Sequence, residues 1–163
     1  ASSGERLWPE GVLTQGAVQS VPALDRGRLF FGSGDGRLYA LAAADGSAAW
    51  RFSTPDAVYA RPLVLGDRVI AASSGQILAA LRSEDGAPLW KLDLGHPLMQ
   101  PPVFHNNALY LTARASPDLY GVDAESGRLL GRLDTGDWIA QGPLEAGDGL
   151  VFAGKDGAVY LYR

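Results

Sequence analysis

Four prolines, Pro22, Pro62, Pro102 and Pro143, stand 40, 40 and 41 residues apart. The pairs Leu38-Tyr39, Leu78-Ala79, Leu119-Tyr120 and Val159-Tyr160 keep the same beat, at 40, 41 and 40. Trp50 and Trp90 are 40 apart, and Gly131 holds the third slot. A chain with this period is restricted to one supersecondary unit laid beside itself, each copy burying its apolar face on its neighbour. The extra residue of the third copy falls in Arg114-Ala115-Ser116-Pro117-Asp118, the longest hairpin, where an insertion disturbs no core position.

Each copy reads as four strands. In the first they are Pro22-Ala23-Leu24, Gly27–Phe31, Arg37–Leu41 and Ser47–Phe52, short apolar runs divided by glycine-containing turns. Asp35-Gly36, Asp45-Gly46, Asp85-Gly86 and Asp156-Gly157 predict type I′ hairpins, with both central residues at positive φ. No window carries apolar residues at i, i+3, i+4 and i+7 over three turns, so helix is nearly absent. The expected fold is all-β, a β-propeller of four-stranded antiparallel blades with four blades per chain. It forms a single domain over 1–163, with repeats at 17–56, 57–96, 97–137 and 138–163. A β-sandwich would not need so regular a period.

Composition agrees. The 163 residues hold 21 Gly and 10 Pro, yet also 15 Trp, Tyr and Phe, so the Gly and Pro punctuate packed segments and do not mark disorder. There is no cysteine, which excludes a disulfide framework and thiolate metal or redox chemistry. A net charge of −4 with no basic run argues against nucleic acid as a partner, and no apolar stretch reaches the length of a membrane span.

The two ends of the chain are in phase. The strongest repeated block is an eleven-residue unit, Ala40 to Asp45-Gly46 to Trp50, matched by Ala80, Asp85-Gly86 and Trp90. The fourth copy stops at Leu161-Tyr162-Arg163, the first three positions, while Ala1–Trp8 matches positions four to eleven. Residues 1–8 are therefore expected to be the outer strand of the last blade, closing the ring and hiding two sheet edges.

This block, preceded by Gly-Arg-Leu-Tyr, resembles the pyrroloquinoline-quinone-like (quinoprotein-type) propeller repeat. The tryptophan-docking unit of that family runs Ala-x-Asp-x-x-Thr-Gly-x-x-x-Trp. Trp8, Trp50 and Trp90 fit its last position, Ala40 and Ala80 its first, and Asp123 its third. The resemblance implies that Trp8, Trp50 and Trp90 are structural docking residues. It implies an extracytoplasmic site, periplasm or cell surface. Quinone enzymes of the family bind pyrroloquinoline quinone beside a calcium ion held by acidic and amide ligands, often with a vicinal cysteine pair. This chain has no cysteine, and its five Glu fall near turns or outer strands, so no cofactor is expected. Binding of pyrroloquinoline quinone or another small ligand, or a fragment of a quinone-dependent dehydrogenase, is the alternative. The best-known members have seven or eight blades. A four-bladed ring, a homodimer completing an eight-bladed ring, and a segment of a longer propeller all remain open.

The stretches before the inner strands, Leu13–Val21, Asp56–Arg61, His96–Pro101 and Asp137–Gly142, lie by propeller geometry where the central channel opens. Six residues past the tryptophan slot stand Asp56, His96 and Asp137; nearer the channel stand Ser20, Arg61, Gln100 and Gln141. Trp138 has no aromatic counterpart in other copies and is a candidate hot spot. No residue set predicts catalysis or a metal: His96 and His105, nine apart, make no ligand pair, and Gly32-Ser33-Gly34-Asp35-Gly36 precedes no helix that could hold a phosphate. The expected function is a non-catalytic scaffold that presents its loops to a protein partner.

Overall fold

A computed structural model describes residues 6–8, 10–136 and 139–162. Among them there is no helix. The first blade is β1 (Ala23–Asp25), β2 (Arg28–Gly32), β3 (Arg37–Ala42) and β4 (Ala48–Ser53). The second is β5 (Leu63–Leu65), β6 (Arg68–Ala72), β7 (Ile77–Arg82) and β8 (Pro88–Asp93). The third is β9 (Val103–His105), β10 (Ala108–Thr112), β11 (Asp118–Asp123) and β12 (Leu129–Asp134). The fourth has β13 (Ile139–Ala146), β14 (Gly149–Gly154) and β15 (Val159–Tyr162). Every blade is an antiparallel meander in chain order.

The middle strands are buried on both faces, and their alternation decides which neighbour each residue meets. In the second blade Val69, Ala71, Ala79 and Leu81 pack with Phe30, Leu38 and Ala40 of the first. Ile70, Leu78 and Ala80 turn the other way and pack with Leu109, Leu111, Tyr120 and Val122 of the third. Period-two alternation thus builds two cores from one sheet. It also explains why small Ala residues crowd β6 and β7, since sheets are stacked on both sides. The register slips once at the same repeat position in three blades, between Ala40 and Leu41, Ala80 and Leu81, and Gly121 and Val122. Such a bulge bends the outer strand and re-aims its side chains.

The aspartate-glycine turns differ from the type I′ expectation. Gly36, Gly46, Gly86 and Gly157 have positive φ, but the aspartates before them do not. At the first, the Gly36 N–H donates to Ser33 O (3.2 Å) and Ser33 N–H donates to Arg37 O (2.9 Å), a turn followed by one left-handed glycine. The aspartate works through its side chain. Asp35, Asp45, Asp85 and Asp156 each accept the N–H two residues on, at 3.1, 2.9, 3.0 and 2.9 Å. The dipeptide marked the turn correctly because both residue types are needed, for a different reason than twin positive φ.

On one face the loops are tied by a backbone belt. Gly34, Ser74 and Arg114 donate N–H bonds to Ala17, Ala57 and Pro97 carbonyls within their blades (2.9, 2.8 and 2.8 Å). Val58 and Leu98 then donate back to Ser33 and Ser73 of the preceding blade (3.0 Å each). Ala57, Val58, Ala60 and Leu98 are buried under this belt.

The fourth blade has three strands among the described residues, with β15 at its edge. Residues 1–5, on which the expected closing strand mostly rests, lie outside the described residues, and Arg6–Trp8 are not in a strand.

Candidate functional site

Blade order is held by a two-donor clamp. Trp50 Nε1 and Arg28 Nη1 both donate to Ser83 O, at 3.0 and 2.7 Å. One blade on, Trp90 Nε1 and Arg68 Nη1 both donate to Ala124 O, at 3.2 Å each. A carbonyl has two lone pairs, and the clamp fills both. The indole rings lie against the following turn glycines: a Cβ on Gly46, Gly86 or Gly127 would stand 2.8, 2.6 or 2.4 Å from the ring of Trp8, Trp50 or Trp90. The three tryptophans expected to dock blade on blade have half-buried rings in these seats. The arginine half of the clamp escaped sequence reading, although Arg28 and Arg68 stand 40 apart.

The candidate partner-binding residues belong mostly to the loops of the belt face. Asp56 is exposed there and accepts the Ala57 N–H through Oδ1 (2.7 Å), while its carbonyl accepts the Thr54 hydroxyl (2.5 Å), so much of its role is to shape the turn. Arg61 is exposed and His96 half-buried. Ser20 is buried, donating to Gly32 O (3.2 Å) and accepting Gly32 N–H (2.7 Å), which removes it from the surface. Gln141 is exposed on β13, paired with Ala153. Asp137 and Trp138 lie outside the described residues. Gln100 lines a cleft of about 310 Å³ between blades three and four with Met99, Thr112, Arg114, Ile139 and Lys155. The structure thus brings Gln100 beside two cations that sequence spacing did not associate with it. Arg114 sits in the β10–β11 loop and Lys155 in the β14–β15 loop, neither in the aligned stretch.

Local electrostatics are those of turns. Asp35 is pushed up by burial, but the Tyr39 hydroxyl (2.6 Å), the Gln15 N–H (3.0 Å), Ser33 and the Arg37 guanidinium (3.5 Å) outweigh it and leave the carboxyl below its usual range. Tyr160 makes the corresponding bond to Asp156. No cluster of three or more His, Cys, Asp or Glu that could hold a metal occurs among the described residues. No helix among the described residues is long and apolar enough to cross a membrane.

The repeat and its blades are matched in the sequence comparison. Residues 1–101 and 75–162 match the family described as outer membrane protein assembly factor BamB. The chain belongs to the BamB family. BamB of Salmonella typhimurium is 34% identical over 149 residues, 88% of this chain and 36% of the relative. The chain thus spans about a third of that relative's length. Among solved structures, BamB from Moraxella catarrhalis superposes with a TM-score of 0.77 at 19% identity, over 91% of this chain and 47% of that one. The computationally designed Ika4 protein superposes with a TM-score of 0.83 at 17% identity, over 98% of both chains. These two likenesses establish the fold. Relatives in the BamB family are named for assembly and not for a catalysed reaction.

Proposed function

We propose that this chain is a non-catalytic scaffold that acts in outer membrane protein assembly, on the extracytoplasmic side, by presenting its loop face to a protein partner. The observation that carries the reading is the family match, to factors named for assembly. The belt supports it physically, since loops tied backbone to backbone lose little conformational entropy on binding. Arg61, Gln100, Arg114 and Lys155 supply donors on this face for carboxylates or backbone carbonyls of the partner. Asp56, His96 and Gln141 complete the surface, with Asp137 and Trp138 assigned to it from sequence alone. No cofactor has a role in this reading.

The test is site-specific photo-crosslinking from Arg61 and Gln100 in the chain expressed in a bacterial envelope. The expected result is an adduct with an outer-membrane assembly protein. Folded chain that gives no adduct from either position sinks the reading. So does dye reduction by an alcohol once pyrroloquinoline quinone and calcium are added.

A second copy of the chain is favoured by one observation. Apolar residues are exposed on both end blades: Val18, Val21 and Leu24 on the first blade side, Leu144, Val159 and Leu161 on the fourth. Two copies laid end to end would cover them and complete an eight-bladed ring, with residues 1–8 of each beside β15. The seat of Trp8 on Gly46, like that of Trp50 on Gly86, supports this assignment of the N-terminal segment. Light scattering decides: a dimer is expected, and a monomer at micromolar concentration removes the ring.

A further inference from the structure

The third outer strand departs from the first two. β4 and β8 have a half-buried residue at every second position from the third, whereas β12 is exposed at all six. The half-buried residues are Trp50 and Phe52, and Trp90 and Leu92. The third blade has Gly131 and Leu133 in their place, and Leu133 is 42% exposed. The residue across the ladder has shrunk as well: Ala40 faces Trp50 and Ala80 faces Trp90, but Gly121 faces Gly131. The second clamp donor is missing too, since Ala108 stands where Arg28 and Arg68 reach the next blade. Three losses coincide at one junction.

They leave space. Among the described residues, a Cβ on Gly131 meets nothing within 4 Å. A cleft of about 430 Å³ opens between blades three and four, walled by Tyr110, Leu130, Leu133, Leu150 and Tyr162. His105, Arg132 and Asp148 are polar residues of its lining. The junction is held elsewhere, by His105 Nδ1 and Glu145 Oε1 at 3.0 Å.

We infer that this cleft is a docking site for an indole side chain presented by a protein partner; the inference rests on the scaffold reading. The occupant is argued from the chain itself. The equivalent slot at both preceding junctions holds an indole of this protein. Phe30, opposite Ala40, lies 5.8 Å from Trp50 between ring centroids. Tyr110, opposite Gly121, offers an incoming ring the same aromatic wall. An aromatic anchor entering a preformed apolar pocket is the usual form of a binding hot spot.

The probe is N-acetyltryptophanamide, titrated into the isotope-labelled chain and followed by amide NMR shifts, with N-acetylalaninamide as control. Saturable shifts at Gly121, Gly131 and Leu133 with the indole probe alone are expected. Gly131→Trp should fill the slot from within and weaken the probe by about tenfold or more. Leu133→Ala, which removes an exposed wall, should weaken it severalfold with the fold kept, and carries the test if Gly131→Trp does not fold. Absent or scattered shifts overturn the inference, as do shifts undiminished in both variants. The crosslinks from Arg61 and Gln100 are read separately. Adducts without probe shifts sink the cleft alone; probe shifts at the cleft without adducts support the cleft and sink the loop-face reading.

Discussion

The Trp50 ring rests on the backbone of Gly86, where a Cβ would stand 2.6 Å from Cδ2. Gly86 is also at φ +74°, so the turn needs glycine for two independent reasons. Gly86→Ala should destabilise the chain by about 2 kcal/mol or more, from the left-handed penalty and the displaced indole. Gly66→Ala is the control, with φ +61° but nothing within 4 Å of the added carbon. Urea unfolding should show a clearly larger loss for Gly86; equal losses would mean that the ring yields freely.

The shared carbonyl makes the two clamp donors interdependent. Trp50→Ala leaves Ser83 O bonded to Arg28, and Arg28→Ala leaves it bonded to Trp50. Each single change should cost less than a fully enclosed aromatic, about 2 kcal/mol for the half-buried indole against ~3–5 for a buried one. The double variant strands the carbonyl and should cost about 1 kcal/mol more than the sum. Strict additivity in a double-mutant cycle would dissolve the clamp.

Gly32 faces a different obstacle. A Cβ there would stand 2.2 Å from Val58 O, inside the belt that joins blades one and two. Gly32→Ala should cost about 1–3 kcal/mol through overpacking. Hydrogen exchange should show the loss localised to the amides of Ser33 and Val58. A variant as stable as the parent would show that the belt is slack.

The turn carboxylates make stability depend on pH in one direction. The Ser47 and Ala87 N–H groups hold Asp45 and Asp85 below the usual carboxylate range, the Ser126 hydroxyl does so for Asp123, and the Tyr160 hydroxyl for Asp156. A folded value below the unfolded one, about 4, means that the native state binds these protons less tightly. The stabilisation is complete above that value and is lost as pH falls through the lowered ones. Urea midpoints should therefore drop from pH 6 to pH 3. Asp45→Asn with Asp85→Asn keeps an acceptor in each turn and removes the titration, so the drop should shrink. A midpoint that falls just as steeply in that variant would assign the acid sensitivity to other groups.

Much of the fold was legible because a repeat states the same fact several times. One tryptophan is ambiguous, but Trp8, Trp50 and Trp90 recur at one repeat position and so point to packing of blade on blade. The candidate site was less legible because it is not repeated. Gln100 could be placed by alignment, but its neighbours Arg114 and Lys155 come from two other loops. Arg28 and Arg68 kept the period and still escaped, because a surface arginine on a strand carries no sign that it will reach the next blade. Ser20 aligned with Gln100 and Gln141 yet turned inward to Gly32. Alignment places a residue along the strand, not the direction of its hydroxyl.

By itself the sequence determined the all-β class, the repeat and the strand positions within each copy, because apolar alternation and turn residues act over a few neighbours and recur with the period. Only the tertiary structure decided how the turns are made, which carbonyl the tryptophans and arginines share, and that the junction at Gly131 stands open. The shared carbonyls are contacts between residues 33 to 56 positions apart, as Trp50 with Ser83 and Arg68 with Ala124, and they depend on how one sheet is rotated onto the next. A missing side chain in sequence is only a glycine; it becomes a cleft when the blades on both sides are held in place without it.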